Sequence, residues 1–254
     1  MRDTERRGYL AHSRTAAYSK KIDDAKRSID KAYKVGPAIV STSFGKDSGA
    51  LVHICHSVIG ELKMFHMACA HELPGGDGVR KFCEGLGEIT ELPPLNTIKE
   101  SIEWLKSVGL PHERGKAEHQ RIIQTRKKDR GRDWCLENGY SVQVLGMRAE
   151  ESRGRRWCFR VRGDTYELST GITVCNPLAW WSVKDVWAYH VVNDIPWHPL
   201  YDMQVLGFTR EMLRNGGWLY TDGAGNGWVA WLRRCYPEQY ERLTLEFPGI
   251  SSVS

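Results

Sequence analysis

The sequence predicts an α/β fold: a doubly wound, mostly parallel sheet with flanking helices, extended by a small β-hairpin and an irregular C-terminal region. Three observations carry this. Short apolar runs of strand length alternate with segments of helical period, the pattern of βαβ units with right-handed crossovers. The 254 residues are 41% apolar and 26% charged, enough for one sizeable core and a small appendage. Beyond Arg156 the helical period gives way to alternation broken by glycines, and beyond Tyr201 to a Gly- and Trp-rich stretch.

Taken in order, residues 14 to 34 place Ala16, Ala17, Ile22, Ala25, Ile29 and Ala32 at near-helical spacing, an amphipathic helix lying on the domain. Gly36-Pro37 ends it. Ala38 to Phe44 reads as the first strand, and Asp47 to Ile59 as a helix burying Ala50, Leu51, Ile54, Val58 and Ile59. Leu62 to Ala70 is a second strand, Gly76 to Leu86 a short helix and Glu88 to Leu92 a third strand. Thr97 to Val108 is expected to be a helix, because Thr97 and Glu100 have capping-box spacing. Ser141 to Met147 is a fourth strand, Trp157 to Val174 a hairpin turning near Gly163 or Gly171, and Ser182 the cap of a helix running to about Asn193.

Several function classes are not expected. No apolar run approaches the roughly 18 residues of a membrane span, and Met1 to Gly8 is charged, unlike a secretory signal. The seven cysteines (Cys55, Cys69, Cys83, Cys135, Cys158, Cys175 and Cys235) are odd in number and contain no CxxC pair. A disulfide scaffold, a zinc site and a thioredoxin-type motif are therefore not expected, and a reducing cytoplasm is. The 36 Lys and Arg exceed the 31 Asp and Glu by 5, so the distribution of charge matters more than its total.

The most informative segment is Ser41-Thr42-Ser43-Phe44-Gly45-Lys46-Asp47-Ser48, where the first strand turns into the first sheet helix. A helix N-terminus offers unpaired N–H groups and a positive dipole end to an anion. Gly45 admits close backbone approach, Lys46 adds charge, Ser43 and Ser48 add hydroxyls, and Asp47 is placed to hold Mg²⁺ against phosphate oxygens. It is not a Walker A loop, GxxxxGK(S/T), because Val40 and Asp47 stand at the first-Gly and Ser/Thr positions. The other reading of the same residues is a plain strand–turn–helix with a polar cap.

Ser43-Phe44-Gly45-Lys46-Asp47-Ser48 resembles the SxGKDS motif of PP-loop ATP pyrophosphatases, the adenine nucleotide α-hydrolase-like superfamily. Gly146-Met147-Arg148-Ala149-Glu150-Glu151-Ser152-Arg153-Gly154-Arg155 is similar to the GxRxxES/QSxxR stretch of its phosphoadenosine phosphosulfate reductase branch. Asn176-Pro177-Leu178, Trp181 to Trp187 and Pro199-Leu200-Tyr201-Asp202 resemble the NPL–DW–DVW–NPLYD stretch of that branch. The resemblance implies an N-terminal helical arm over residues 1–35, a PP-loop nucleotide-binding domain over 36–203 and a C-terminal extension over 204–254. It implies an adenine nucleotide held by Ser41, Ser43, Phe44, Gly45, Lys46, Ser48, Gly146, Glu151 and Ser152. Lys46, Asp47, Arg148 and Arg155 would be catalytic.

The departures shape the function expected. The chain lacks the ECGLH-like tail and the paired cysteines of a cluster-binding reductase, so no iron–sulfur cluster is expected. Ala70-His71-Glu72-Leu73-Pro74 stands where relatives have DTGxxxPET. The first reading is therefore an enzyme that binds ATP with Mg²⁺ and cleaves it to AMP, or an adenylated intermediate, and pyrophosphate. The alternatives are a sulfonucleotide enzyme using an external thiol, and a nucleic-acid-binding protein on an inactive fold. The acceptor is left open, and a homodimer is compatible.

Arg148, Arg153, Arg155, Arg156, Arg160 and Arg162 lie within fifteen residues, starting at a strand's C-terminal end, where α/β folds bind ligands. Arg148 and Arg155 are expected to grip phosphate, and Arg160 and Arg162 to lie on a solvated hairpin face. The run Arg121 to Arg132 reads as a solvated helix or insert, with a nucleic-acid track as its rival. His53 and His56 are expected to pack or face solvent rather than bind metal. Trp180, Trp181, Trp187 and Trp197 are expected to form core around the capped helix.

Overall fold

A computed structural model describes residues 1–68, 72–94, 130–215 and 227–246. Its helices are α1 (Asp3–Ser13), α2 (Ala16–Tyr33), α3 (Lys46–Ile59), α4 (Asp77–Glu84), α5 (130–137), α6 (Arg153–Arg162), α7 (Val183–Val192), α8 (Trp228–Cys235) and α9 (Pro237–Glu246). The strands are β1 (Ala38–Thr42), β2 (Leu62–Met67), β3 (Gly87–Leu92), β4 (Val142–Val144), β5 (Thr165–Glu167) and β6 (Thr173–Cys175). They form one sheet in the order β3-β2-β1-β4-β6-β5. β1 runs parallel to β2, with Val40 opposite Met64, and to β4, with Ala38 opposite Val142. β4 is parallel to β6, and β5 pairs antiparallel with β6. This is the mostly parallel α/β sheet that the sequence predicts.

β1 and β4 are covered on both faces, as the inner strands of a parallel sheet are. Val40, Val142 and Val144 are fully buried. One face packs Ile39, Phe65, Ile172 and Val174 against Cys135 of α5, with Trp134 and Tyr140 beside them. The other carries α2 and α3, where Ile29, Ala32, Leu51 and Ile54 are fully shielded from solvent. The Trp residues divide as their burial dictates. Trp181 and Trp187 are core, whereas Trp180 is half-exposed.

The segment read as a long hairpin is corrected. Residues 153–162 are helix α6, and the hairpin is confined to β5 and β6. Ser152 starts the helix, its Oγ accepting the Arg155 N–H at 3.1 Å, and Gly163 ends it at φ +81°. A cap and a terminating glycine outweigh the local alternation of apolar and basic side chains. Arg160 and Arg162 therefore lie on a helix. β2 and β4 are also shorter than the apolar runs suggest, because each run continues past the last paired residue. The expected helix at Thr97 to Val108 lies outside the described residues, as do residues 121–129 of the basic run.

The chain divides into two units, residues 1–66, 75–92 and 132–198 in one and 67–74, 93–131 and 199–254 in the other. In the second, α8 and α9 pack together around an aromatic group in which Phe208 and Trp231 both lie edge-on to Trp228 at 5.2 Å. Trp231 Nε1 donates to the Met203 carbonyl at 2.9 Å. Among the described residues no helix is long and apolar enough to cross a membrane.

In the first unit, α1 packs along α7, and the buried carboxylate of Asp185 fastens both α1 and α2 to it. Its Oδ1 lies 2.7 Å from His12 Nε2, and its Oδ2 accepts from Lys21 Nζ and from the Ser182 N–H at 2.6 Å. Ser182 Oγ in turn accepts the Asp185 N–H at 3.2 Å, completing a reciprocal cap. Burial pushes the Asp185 carboxyl up, but the bonds from Lys21, Ser182 and His12 outweigh it and hold the pKa at about 2, below the ordinary 3.8. A depressed folded-state pKa contributes stability that is complete above the ordinary value and lost as pH falls toward the folded one. Wild-type protein is expected to lose on the order of 2 kcal/mol more than Asp185→Asn between pH about 4 and pH about 2 in urea unfolding. Equal losses in the two proteins would contradict this clamp.

Candidate functional site

The site forms where β1 and β4 end and α3 begins. The chain leaves β1 through Ser43, Phe44 and Gly45, with Phe44 at φ +53°, a region that side chains rarely adopt. The Phe44 ring holds that conformation: it is buried, 4.4 Å from the His66 ring, with the Arg80 guanidinium 4.6 Å from its centroid. Ser48 Oγ accepts the Ser43 N–H at 3.2 Å and donates to the Gly45 carbonyl at 3.0 Å, closing the turn. The first turn of α3 therefore directs its backbone N–H groups out of the sheet's C-terminal edge.

Three cations and three carboxylates interlock there. Asp47 Oδ2 accepts from Lys46 Nζ at 2.9 Å, and its Oδ1 accepts from Arg148 Nε at 2.6 Å. Arg148 Nη1 also donates to Glu150 Oε2 at 2.7 Å, and the Arg148 N–H donates to Glu151 Oε2 at 3.0 Å. Arg155 pairs with Glu151, and Glu150 Oε2 takes the Val183 N–H at the start of α7 at 2.6 Å. The Lys46 and Arg148 side chains are each only 5% exposed. An exposed turn is what the sequence implies for Lys46; its pairing with Asp47 draws it inward. Burial pushes the Asp47 carboxyl up, but the charges of Lys46 and Arg148 outweigh it and hold it below the usual carboxylate range.

The geometry sorts the expected site residues. Lys46, Asp47, Arg148, Glu151 and Arg155 form one connected group, with Ser43, Gly45 and Ser48 at its edge. Gly146 belongs with them: a Cβ there would stand 3.4 Å from the Asp47 carbonyl oxygen, so β4 and α3 touch backbone to backbone. Ser41 Oγ accepts from Gln143 Nε2 at 3.1 Å, and Ser152 Oγ caps α6. Both oxygens of Asp47 are engaged, Oδ2 by Lys46 and Oδ1 by Arg148. Among the described residues no group of three or more His, Cys, Asp or Glu side chains could hold a metal ion.

Sequence reasoning misses His190. It is fully buried on α7, with Nε2 2.6 Å from the Lys46 carbonyl oxygen and Nδ1 3.2 Å from that of Ile195. Gly49 makes room for it, since a Cβ there would lie 3.2 Å from His190 Cε1. Burial lowers the His190 pKa, and its two carbonyl partners act against that shift. The sequence signal is the spacing from Trp187 on one helix face, which marks a packed position but not its polar partner. His53 and His56 pack, through the Tyr189 hydroxyl at 2.9 Å and the Leu86 carbonyl at 3.3 Å.

Comparison with known proteins identifies the domain family. The model of the phosphoadenosine phosphosulfate reductase domain matches residues 37–222. The phosphoadenosine 5'-phosphosulfate reductase of Gloeobacter violaceus is 41% identical over 63 residues, 25% of each chain. The reductase of the same description from Xanthomonas axonopodis pv. citri is 25% identical over 178 residues, 67% of this chain and 69% of that protein. The crystal structure of phosphoadenylyl-sulfate reductase from Candida auris, a phosphate complex, is 20% identical with a TM-score of 0.51, covering 77% of this chain and 88% of that one. That last likeness speaks to the fold.

Asp47→Asn leaves two buried cations without their shared carboxylate, a loss of about 3–5 kcal/mol for a broken buried pair. Urea unfolding is expected to show that loss, and Lys46→Met in the same background to recover part of it. Added inorganic phosphate should stabilise Asp47→Asn more than wild type, because the anion replaces the missing charge. A variant as stable as wild type would show that Asp47 does not hold the cluster.

Proposed function

The chain belongs to the phosphoadenosine phosphosulfate reductase domain family, and from that premise we propose that the strand-end site binds an adenosine phosphosulfate and presents it to an external thiol. The observation that carries this reading is the convergence of buried Lys46 and Arg148 on Asp47 at the start of α3. Relatives named for sulfonucleotide reduction favour it over the cleavage of ATP that the sequence puts first.

In this reading the N–H groups of the first turn of α3 and the Ser43 and Ser48 hydroxyls receive the nucleotide's phosphate. Lys46 and Arg148 offset the charge that builds on the phosphate oxygen as it leaves. A thiolate attacks the sulfuryl sulfur, and the S–O bond breaks with its electron pair remaining on the nucleotide. A second thiol then releases sulfite and closes a disulfide. An external donor supplies the thiols in this reading, because most of the described cysteines are buried. Cys55, Cys83, Cys135 and Cys175 are buried, and burial pushes their pKa up, to about 12 for Cys83 and Cys135, which suppresses the thiolate. His190 and Gly49 position the Lys46 backbone and touch no reacting atom.

The test supplies phosphoadenylyl sulfate with dithiothreitol or thioredoxin and measures sulfite, and supplies ATP in parallel and measures pyrophosphate. Sulfite is expected, with kcat/KM about 10²- to 10³-fold lower in Lys46→Ala, the usual effect of removing one preorganised charge-stabilising donor. Pyrophosphate from ATP without sulfite would return the site to the ATP-cleaving reading.

A further inference from the structure

Helix α6 sorts its arginines into two sets. Arg155 is held by Glu151, and Arg162 donates to the Glu167 carbonyl and lies over the Tyr166 ring at 4.2 Å. Arg153, Arg156 and Arg160 point outward, and among the described residues none has a carboxylate partner. Trp157 and Val161 share that outer face and are 68% and 62% exposed. The spacing i, i+3, i+4, i+7, i+8 makes one stripe, rising about 10 Å from Arg153 to Arg160 at 1.5 Å per residue. An indole left two-thirds in water beside three unpaired guanidiniums has no role in the core.

Beside the stripe lies a cavity of about 270 Å³ between α6 and residues 179–182. Its lining includes the small, buried Ala149 and Ala179, the two guanidiniums of Arg156 and Arg160, and the half-exposed ring of Trp180. Phe159 steadies that ring edge-on at 6.4 Å, and Arg156 and Arg160 flank Phe159 on the helix. Glu150 also lines the cavity, but its charge is engaged by Arg148 and the Val183 N–H. The volume is below that of an ordinary drug-sized pocket, about 300–1,000 Å³, and suits one flat ring with its attached anion. One turn toward the start of α6, Arg153 and Trp157 repeat the pairing of a cation with an open indole.

We propose that this face binds phosphate–nucleobase units, and that its ligand is single-stranded nucleic acid. Each unit places a base against an indole and a phosphate on a guanidinium, the combination by which strands are held without sequence preference. The repeat of the pair along α6 fits successive nucleotides, and a single strand fits because a duplex keeps its bases stacked out of reach. An acidic protein segment would satisfy the arginines alone and leave both indoles unused. The inference does not rest on the reaction proposed above, since Lys46 lies outside this face.

The test is fluorescence anisotropy of the full chain with a labelled oligothymidylate of about 12 nucleotides, at about 50 and 200 mM salt. Binding is expected at the lower salt and should weaken at the higher. Replacing Arg156 and Arg160 together with Ser should reduce the salt slope by about 1.4, roughly 0.7 for each single-strand phosphate no longer neutralised. Trp180→Ala should weaken binding about fivefold or more, and Trp180→Phe should recover much of it, because any flat ring stacks. Lys46→Ala should leave this binding unchanged, which separates it from nucleotide turnover. Free thymidine monophosphate competing as well as the same concentration of nucleotides in the strand would overturn the strand as the ligand. No binding at low salt would overturn the proposal. So would Trp180→Ala without effect while a polyglutamate peptide competes as well as the oligonucleotide.

Discussion

The carboxylate of Asp47 is the constraint on which the sheet's working edge depends. It takes Lys46 on one oxygen and Arg148 on the other, joining residues 101 positions apart. Both cations are almost fully buried, and a buried charge without its partner is far less stable than the pair. The start of α3 and the end of β4 must therefore form together. The bare backbone of Gly146 against the Asp47 carbonyl and the His190 ring against the Lys46 carbonyl act on the same turn from two further directions. The geometry of this edge is a consequence of how the fold closes.

Much of the fold is legible because it is written locally. The Ser182 cap, the turn from β1 into α3 and the doubly buried valines of the central strands each lie within a few residues, where periodicity and capping chemistry act. The clamp on the N-terminal helices is not legible, since Asp185 meets His12 and Lys21 at separations of 173 and 164 residues. Helix α6 is misread for a different reason. Its run of Trp, Cys, Phe, Arg and Val alternates enough to imitate a strand, and the Ser152 cap and Gly163 stop decide the matter.

The site is legible in membership more than in roles. Residues of the PP-loop and arginine motifs do gather at one edge, yet Ser41 and Ser152 serve the sheet and a helix cap, and Phe44 serves the core through its ring. A motif records which residues must be present, and a hydroxyl that binds a ligand reads the same as one that binds Gln143. Lys46 shows the limit most clearly. Its position after a glycine suggests an exposed charge, and only its pairing with Asp47 turns it inward.

The arrangement of charge separates two kinds of positive surface on one unit. At the strand ends, Lys46, Arg148 and Arg155 are matched by Asp47, Glu150 and Glu151, so the cluster is neutral as built. Its pull on an anion comes from the N-terminus of α3 and from exchange of partners at short range, which makes it selective in geometry and weak at a distance. The carboxylates are unequally committed. Asp47 and Glu151 are 19% and 12% exposed and Glu150 is 48% exposed, so Glu150 gives up least on returning to water. The Arg148 Nη1 bond to Glu150 is thus the more easily released of its two side-chain ion pairs, and the Nε bond to Asp47 the more firmly held. Among the described residues the outer face of α6 has no such compensation. Its arginines act over the full Debye length, about 8–10 Å at ordinary salt, a reach that the neutral strand-end cluster lacks.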